Sequence, residues 1–171
     1  VHPRKNLTNL FKAFDLFKSR TGSDVRLMVV GERKWWTDDI KNSYETMTHR
    51  SEVIMTGRMD DAELQQVMAA AAALTYVPVF EGFGIPILEA FQSGIPVITS
   101  NVTSMPEVAG DAAILVDPFD PDAIAQAMES LVKDPQHASE LIRRGHARAN
   151  DFSWDRSAGL LWQCIERALQ N

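Results

Sequence analysis

Apolar residues along this chain alternate between two spacings, and the alternation predicts a strand and helix order. Leu7, Leu10, Phe11, Phe14 and Phe17 recur at helical spacing, with Asn6 or Thr8 near the start and Gly22 just past the end, so a helix with one buried face is predicted. Residues 25–30 form an apolar run ending at Gly31, the pattern of a buried strand. A polar stretch with Trp35, Trp36 and Tyr44 reads as a helix over one sheet face, its aromatics favouring packing over a sugar platform. Residues 53–56 predict the next strand. Asp60, with Glu63 three residues on, reads as a variant capping box that opens a helix ending in the alanine run 69–73. Residues 73–77 are apolar and partly β-branched, a buried parallel strand closed by Pro78. Residues 96–99 and 113–116 predict two further strands, with a loop carrying Asn101 and Ser104 between them. Asp120 or Pro121 opens a helix to about Lys133, and Asp134-Pro135 breaks it. Two more helices follow at about 136–150 and 154–169. Strands and helices alternating at this spacing predict an α/β domain, a parallel sheet with helices on both faces that binds ligands outside the carboxyl ends of its strands.

One junction carries more chemistry than the others. In Val79-Phe80-Glu81-Gly82-Phe83-Gly84-Ile85-Pro86-Ile87-Leu88-Glu89-Ala90, two glycines and a proline join a strand to a helix. Gly82 and Gly84 permit positive φ and a close backbone approach to a ligand. Pro86 fits the first helical position, which makes Ile85 the N-cap, and isoleucine has no acceptor to offer. The amides of Ile87 and Leu88 are then left for an anion such as phosphate, aided by the helix dipole. Like charge keeps Glu81 and Glu89 off that phosphate. A carboxylate accepts hydroxyls, and the vicinal hydroxyls of ribose and of a sugar ring suit the pair. Turns of this composition also occur without a ligand, so the motif alone leaves both readings open.

The 171 residues are enough for one domain with its own core, and 45% hydrophobic with 23% charged residues is an ordinary globular balance. No long apolar run or signal-peptide pattern appears, so no membrane span is expected. The net charge of −6 argues against binding nucleic acid through its backbone and leaves room for one phosphate pocket. Cys164, the single cysteine, stands among Leu160, Leu161, Trp162 and Ile165 and reads as a buried helix position in a protein of a reducing cytoplasm. His2, His49, His137 and His146 are scattered without zinc spacing; the last three read as surface residues and His2 as a lining of a phosphate loop. No metal site is expected.

Glu81 and Glu89, with seven residues between them, resemble the paired-glutamate motif of the family 4 (group 1) retaining glycosyltransferases. The likeness extends in family order along nearly the whole chain. His2-Pro3-Arg4-Lys5-Asn6-Leu7 looks like the donor-phosphate loop, and Gly94-Ile95-Pro96-Val97-Ile98-Thr99-Ser100 like the next strand. Pro106-Glu107-Val108-Ala109-Gly110-Asp111-Ala112-Ala113 and Val116-Asp117-Pro118 look like the segment after it, and Phe152-Ser153-Trp154 like the start of the C-terminal helix. The resemblance implies the C-terminal, donor-binding half of a GT-B fold, a Rossmann-like domain over residues 1–171 that includes terminal helices at about 136–170. It implies that Lys5 neutralises a diphosphate leaving group, with Arg4 beside it, and that the backbone of Phe83 and Gly84 holds the distal phosphate, flanked by Gly82 and Ile85. Glu81 would contact the transferred sugar, Glu89 the ribose hydroxyls, and Gly57-Arg58-Met59 the base. Lys5 and Glu81 are thus the implied catalytic residues.

The same resemblance puts a first, central strand upstream of Val1, and a second basic residue about six positions before Lys5. It therefore leads us to expect a longer protein with an N-terminal acceptor-binding domain, or a sheet with another solution for that strand. The implied reaction takes a sugar from a UDP- or GDP-sugar to an acceptor the sequence does not name, without a metal or other cofactor. A cytoplasmic location is expected, with any membrane contact left to the absent part. Apolar residues of the last helix either pack on this domain or reach the partner domain, and an isolated domain can cover them by self-association. Two other readings remain: a nucleotide-sugar-binding module without catalysis, and a nucleotide-sugar epimerase or phosphorylase on the same fold. A flavodoxin-like signalling domain lacks its acidic cluster at the strand ends.

Overall fold

The computed structural model describes residues 2–169. Helix α1 (Leu7–Thr21) leads to strand β1 (Leu27–Val30), then to α2 (Asp38–Glu45) and β2 (Val53–Gly57). Helix α3 (Asp61–Ala70) precedes β3 (Leu74–Tyr76), α4 (Ile85–Ser93) and β4 (Val97–Ser100). The short α5 (Met105–Ala109), β5 (Ile114–Val116), α6 (Pro121–Lys133), α7 (Pro135–Ala149) and α8 (Trp154–Leu169) complete the order. Most boundaries fall where hydrophobic spacing and caps put them. Asp60 and Glu63 close a full capping box on α3, and Asp120 accepts from Asp122 and Ala123 at the head of α6.

All strand pairs are parallel, but they form two sheets rather than one. β1 pairs with β2 in the register Leu27↔Val53 and Met28↔Ile54. β3, β4 and β5 form the other sheet, with Thr75↔Ile98 and Ile98↔Ile114 in line. β4 lies between two neighbours and is buried along its whole length, which is why Val97-Ile98-Thr99-Ser100 reads as an unbroken run rather than an alternation. A single continuous sheet was expected. Among the described residues no strand lies between β1 and β3. Both strands line a cavity of about 440 Å³, and a parallel pair needs its partner about 4.8 Å away. One apolar cluster centres on α1, β1 and α6, with Phe11, Phe14 and Phe17 fully enclosed. The other centres on α4 and α5, with Phe91, Ile87 and Met105.

Three local readings change. The helix α3 stops at Ala70, so Ala71–Ala73 of the alanine run belong to the connection. Trp36 packs on Phe11 and Tyr44, while Trp35 is 59% exposed on a 3-10 turn. Cys164 is exposed rather than buried, because α8 buries none of its residues against this domain. Leu160, Leu161, Trp162, Ile165 and Leu169 are all uncovered, so the apolar stripe of α8 faces away from the two clusters.

Helix α4 carries the principal motif and is held from behind by α7. A Cβ built on Gly145 of α7 would stand 2.6 Å from Phe91 Cδ1 and 3.2 Å from Cγ. A ring as fully buried as that of Phe91 has little room to move. Gly145→Ala is expected to cost about 1–3 kcal/mol in urea unfolding, the usual cost of overpacking.

Candidate functional site

The site begins in the first turn of the chain. Pro3–Lys5 form a 3-10 turn that ends at Asn6, whose φ of 62° is left-handed. Asparagine tolerates that region better than most residues. Turned this way, its side chain does not cap α1. It is buried and donates from Nδ2 to the carbonyls of Val77 (3.0 Å) and Pro118 (2.7 Å). The Val79 amide donates to the Arg4 carbonyl at 2.9 Å. Asn6 thus ties the loops after β3 and β5 to the turn that presents Lys5.

Three groups meet at the end of β3. The Lys5 ammonium donates to the Tyr76 hydroxyl and to Glu81 Oε2. The Tyr76 hydroxyl donates to the same Glu81 oxygen at 2.7 Å. Lys5 Nζ also lies 4.9 Å from the centre of the Tyr76 ring, within cation–π range. Arg4 adds a longer contact, 3.8 Å from Nη2 to Glu81 Oε1. The hydrogen bond from Lys5 is the main reason the Glu81 carboxyl is held down at about 2, and Tyr76 adds to it against a burial effect of opposite sign. Burial, then Glu81, pushes the Tyr76 hydroxyl well up, so it remains a proton donor at neutral pH.

The turn into α4 differs in detail from expectation. Gly84, not Ile85, is the N-cap, and Pro86 sits at the second helical position, where its missing N–H is equally free of cost. Gly84 uses the freedom of glycine, with φ at 113°, whereas Gly82 does not take a positive φ. The Ile87 amide turns back to the Gly84 carbonyl at 2.9 Å and is not available. The amides of Gly84 and Ile85 have no backbone or side-chain acceptor among the described residues, so the anion-ready donors lie three residues earlier than the sequence suggests. Ser104 holds the loop from below. Its hydroxyl lies 2.9 Å from the Glu81 carbonyl and 3.0 Å from that of Phe83, and donates to one at a time.

Glu89 stands one turn further along α4. It lines the cavity between β1 and β3 together with His2, Lys5, Tyr76 and Gly31. It also lines the groove between α3 and α4 opposite Asp61. Burial first, and Asp61 second, raise its carboxyl above the ordinary range. A carboxyl placed so gains from hydrogen-bond donors that favour its charged form. The structure therefore brings Lys5, Glu89 and His2 to one cavity, with Glu81 and Arg4 joined to it through Lys5. It does not bring Arg58 and Met59 there. Arg58 is exposed, Met59 is partly buried, and neither lines that cavity. Among the described residues, no group of three histidine, cysteine, aspartate or glutamate side chains could hold a metal ion, and no helix is long and apolar enough to cross a membrane.

Sequence reading missed Tyr76, which looked like one more apolar strand position. It saw Asn6 as a cap and Ser104 as an unassigned loop residue. The signal for Tyr76 and Ser104 is a polar atom at the carboxyl end of a strand or in the loop beyond it, where a parallel sheet gathers its ligand contacts.

Comparison with known proteins gives the family and the fold. The family model of the group 1 glycosyl transferases matches residues 1–148. The O-antigen chain mannosyltransferase B of Escherichia coli is 38% identical over 155 residues, which cover 91% of this chain and 41% of that protein. The C-terminal domain of a group 1 family glycosyl transferase (LpcC) from Francisella tularensis has a TM-score of 0.75 at 22% identity, over 88% of this chain and 80% of that one. Anabaena HepE, solved in complex with UDP, has a TM-score of 0.83 at 18% identity, over 98% of this chain and 46% of that one. The structures speak to the fold, the Rossmann-like half of a GT-B glycosyltransferase. The chain spans about two fifths of the length of the mannosyltransferase, 41%. It belongs to the group 1 glycosyl transferases.

Proposed function

We propose that this chain is the donor-binding domain, over residues 1–171, of a retaining glycosyltransferase that uses a UDP- or GDP-sugar. The observation that carries the reading is one cavity lined by Lys5 and Glu89, with Pro86 bringing the uncapped start of α4 to it. Lys5 and the amides of Gly84 and Ile85 take the diphosphate, whose negative charge grows as the sugar departs. Arg4 stands in reserve on the same turn. Glu81 meets the transferred sugar, and Glu89 accepts the ribose hydroxyls. The loop after β2, with Arg58 and Met59, borders the base through its backbone. Protein charge replaces a metal in this reaction.

HepE, which shares this fold and was solved in complex with UDP, supports a nucleotide ligand for the domain. Transfer itself belongs to a longer protein with an acceptor-binding domain, and the apolar face that α8 leaves uncovered supports contact with such a domain. One exposed, unpaired cysteine fits a reducing compartment such as the cytoplasm.

Glu89 provides the test. Glu89→Ala is expected to weaken binding of the preferred nucleoside diphosphate by about tenfold or more, as for the loss of a charge-assisted hydrogen bond. A 2′,3′-dideoxy analogue should bind the parent and the variant alike, because it has no hydroxyls for the carboxylate to hold. Equal weakening of both ligands would remove Glu89 from the ribose.

A further inference from the structure

Tyr76 has no part in the donor contacts assigned above, yet its hydroxyl touches both charged groups that do. It accepts from Lys5 and donates to Glu81. The three residues differ in what holds them. Lys5 is on a 3-10 turn and Glu81 on the loop before α4, whereas Tyr76 is the last residue of β3, in register with Thr99 of β4. The tyrosine is the member fixed to the sheet.

The arrangement matters because two of the three Lys5 donors are already directed at Tyr76 and Glu81. A diphosphate at the turn would compete with Glu81 Oε2 for the ammonium and draw it toward phosphate oxygens. Glu81 then loses its strongest donor while its loop carbonyl remains held by Ser104. The Tyr76 hydroxyl still faces the same carboxylate oxygen from a rigid strand.

We propose that Tyr76 is a positioning residue, which holds the Glu81 carboxylate toward the transferred sugar while Lys5 turns to the diphosphate. The proposal rests on the donor-site reading and adds to it the residue that keeps Glu81 in place. The upward displacement of the tyrosine hydroxyl agrees, since a phenol that remains protonated can only donate to a carboxylate. Tyr76→Phe keeps the ring beneath the Lys5 ammonium and removes only the hydroxyl.

The test pairs Tyr76→Phe with Glu81→Gln and reads two ligand series by calorimetry, UDP with UDP-glucose and GDP with GDP-mannose. Tyr76→Phe should weaken the preferred nucleotide sugar about tenfold and its nucleoside diphosphate less than about twofold. On the Glu81→Gln background the extra loss should vanish, because the hydroxyl acts through that carboxylate. Equal losses on both ligands, or the same loss in both backgrounds, overturn the proposal. A carbon-13 titration of the Glu81 carboxyl in the ligand-free chain gives a second reading. Tyr76→Phe should move it to higher pH, and an unmoved titration overturns the proposal. If the parent chain binds none of the four probes, the donor-site reading fails, and the titration alone decides whether Tyr76 governs Glu81.

Discussion

Lys5→Ala is expected to weaken binding of the preferred nucleoside diphosphate by about 10- to 100-fold, the range for losing a hydrogen bond to a charged group. Two effects add. The ammonium is the nearest cation to Glu81 and the one its turn presents to the cavity. Its removal also leaves the Glu81 carboxylate facing the incoming phosphates with only Arg4, at 3.8 Å, to offset it. Like charges so placed repel. The parent nucleoside, which carries no phosphate, should bind the variant as well as it binds the original chain. If the diphosphate binds Lys5→Ala unchanged, the lysine has no role in the donor site. Lys5→Arg tests geometry at constant charge, because a planar guanidinium cannot reproduce the three-donor ammonium between Tyr76 and Glu81.

Asn6→Ala is expected to cost about 2–4 kcal/mol of stability in urea unfolding. The sum has two parts. The Val77 carbonyl loses its side-chain donor, whereas the Pro118 carbonyl keeps Asn9 Nδ2 at 3.0 Å, and a buried polar group left unpaired costs about 1–3 kcal/mol. Alanine also holds a left-handed backbone less well than asparagine, at about 1 kcal/mol. Asn6→Gly separates them. Glycine accepts a φ of 62° without strain, so its variant should show the hydrogen-bond part alone and be the more stable of the two. Both variants should also bind nucleotide more weakly, because the turn that carries Lys5 loses its tie to the β3 and β5 loops. Near-neutral substitutions would show that the loops hold one another without Asn6.

The parts of the site legible in the sequence are those written in short-range order. The spacing of Glu81 and Glu89 puts one in the loop and the other a turn into α4, and both are found there. The capping box of Asp60 and Glu63 is equally local. Ile85 was misread as the N-cap because proline is tolerated at the first and second helical positions alike, and only the φ of Gly84 distinguishes them. Asn6 precedes a helix as a cap does, but its partners are 71 and 112 residues away, beyond any local pattern. Tyr76 was hidden for the same reason, with Lys5 71 positions before it. The helix α5 is five residues long with a proline near its start, too short for a period to show. Cys164 illustrates a different limit. The spacing of Leu161, Ile165 and Leu169 gives an apolar stripe, but a stripe does not say whether this domain covers it.

The central claim is that the turn of Lys5, the start of α4 and Glu89 form one site for a nucleoside diphosphate. Calorimetric titration of the chain with UDP, GDP and ADP, each with and without magnesium, tests it most directly. The account predicts saturable binding of UDP or GDP that does not depend on magnesium and is weakened about 10- to 100-fold on Lys5→Ala. Absence of binding by all three, or binding that appears only with magnesium, would contradict it.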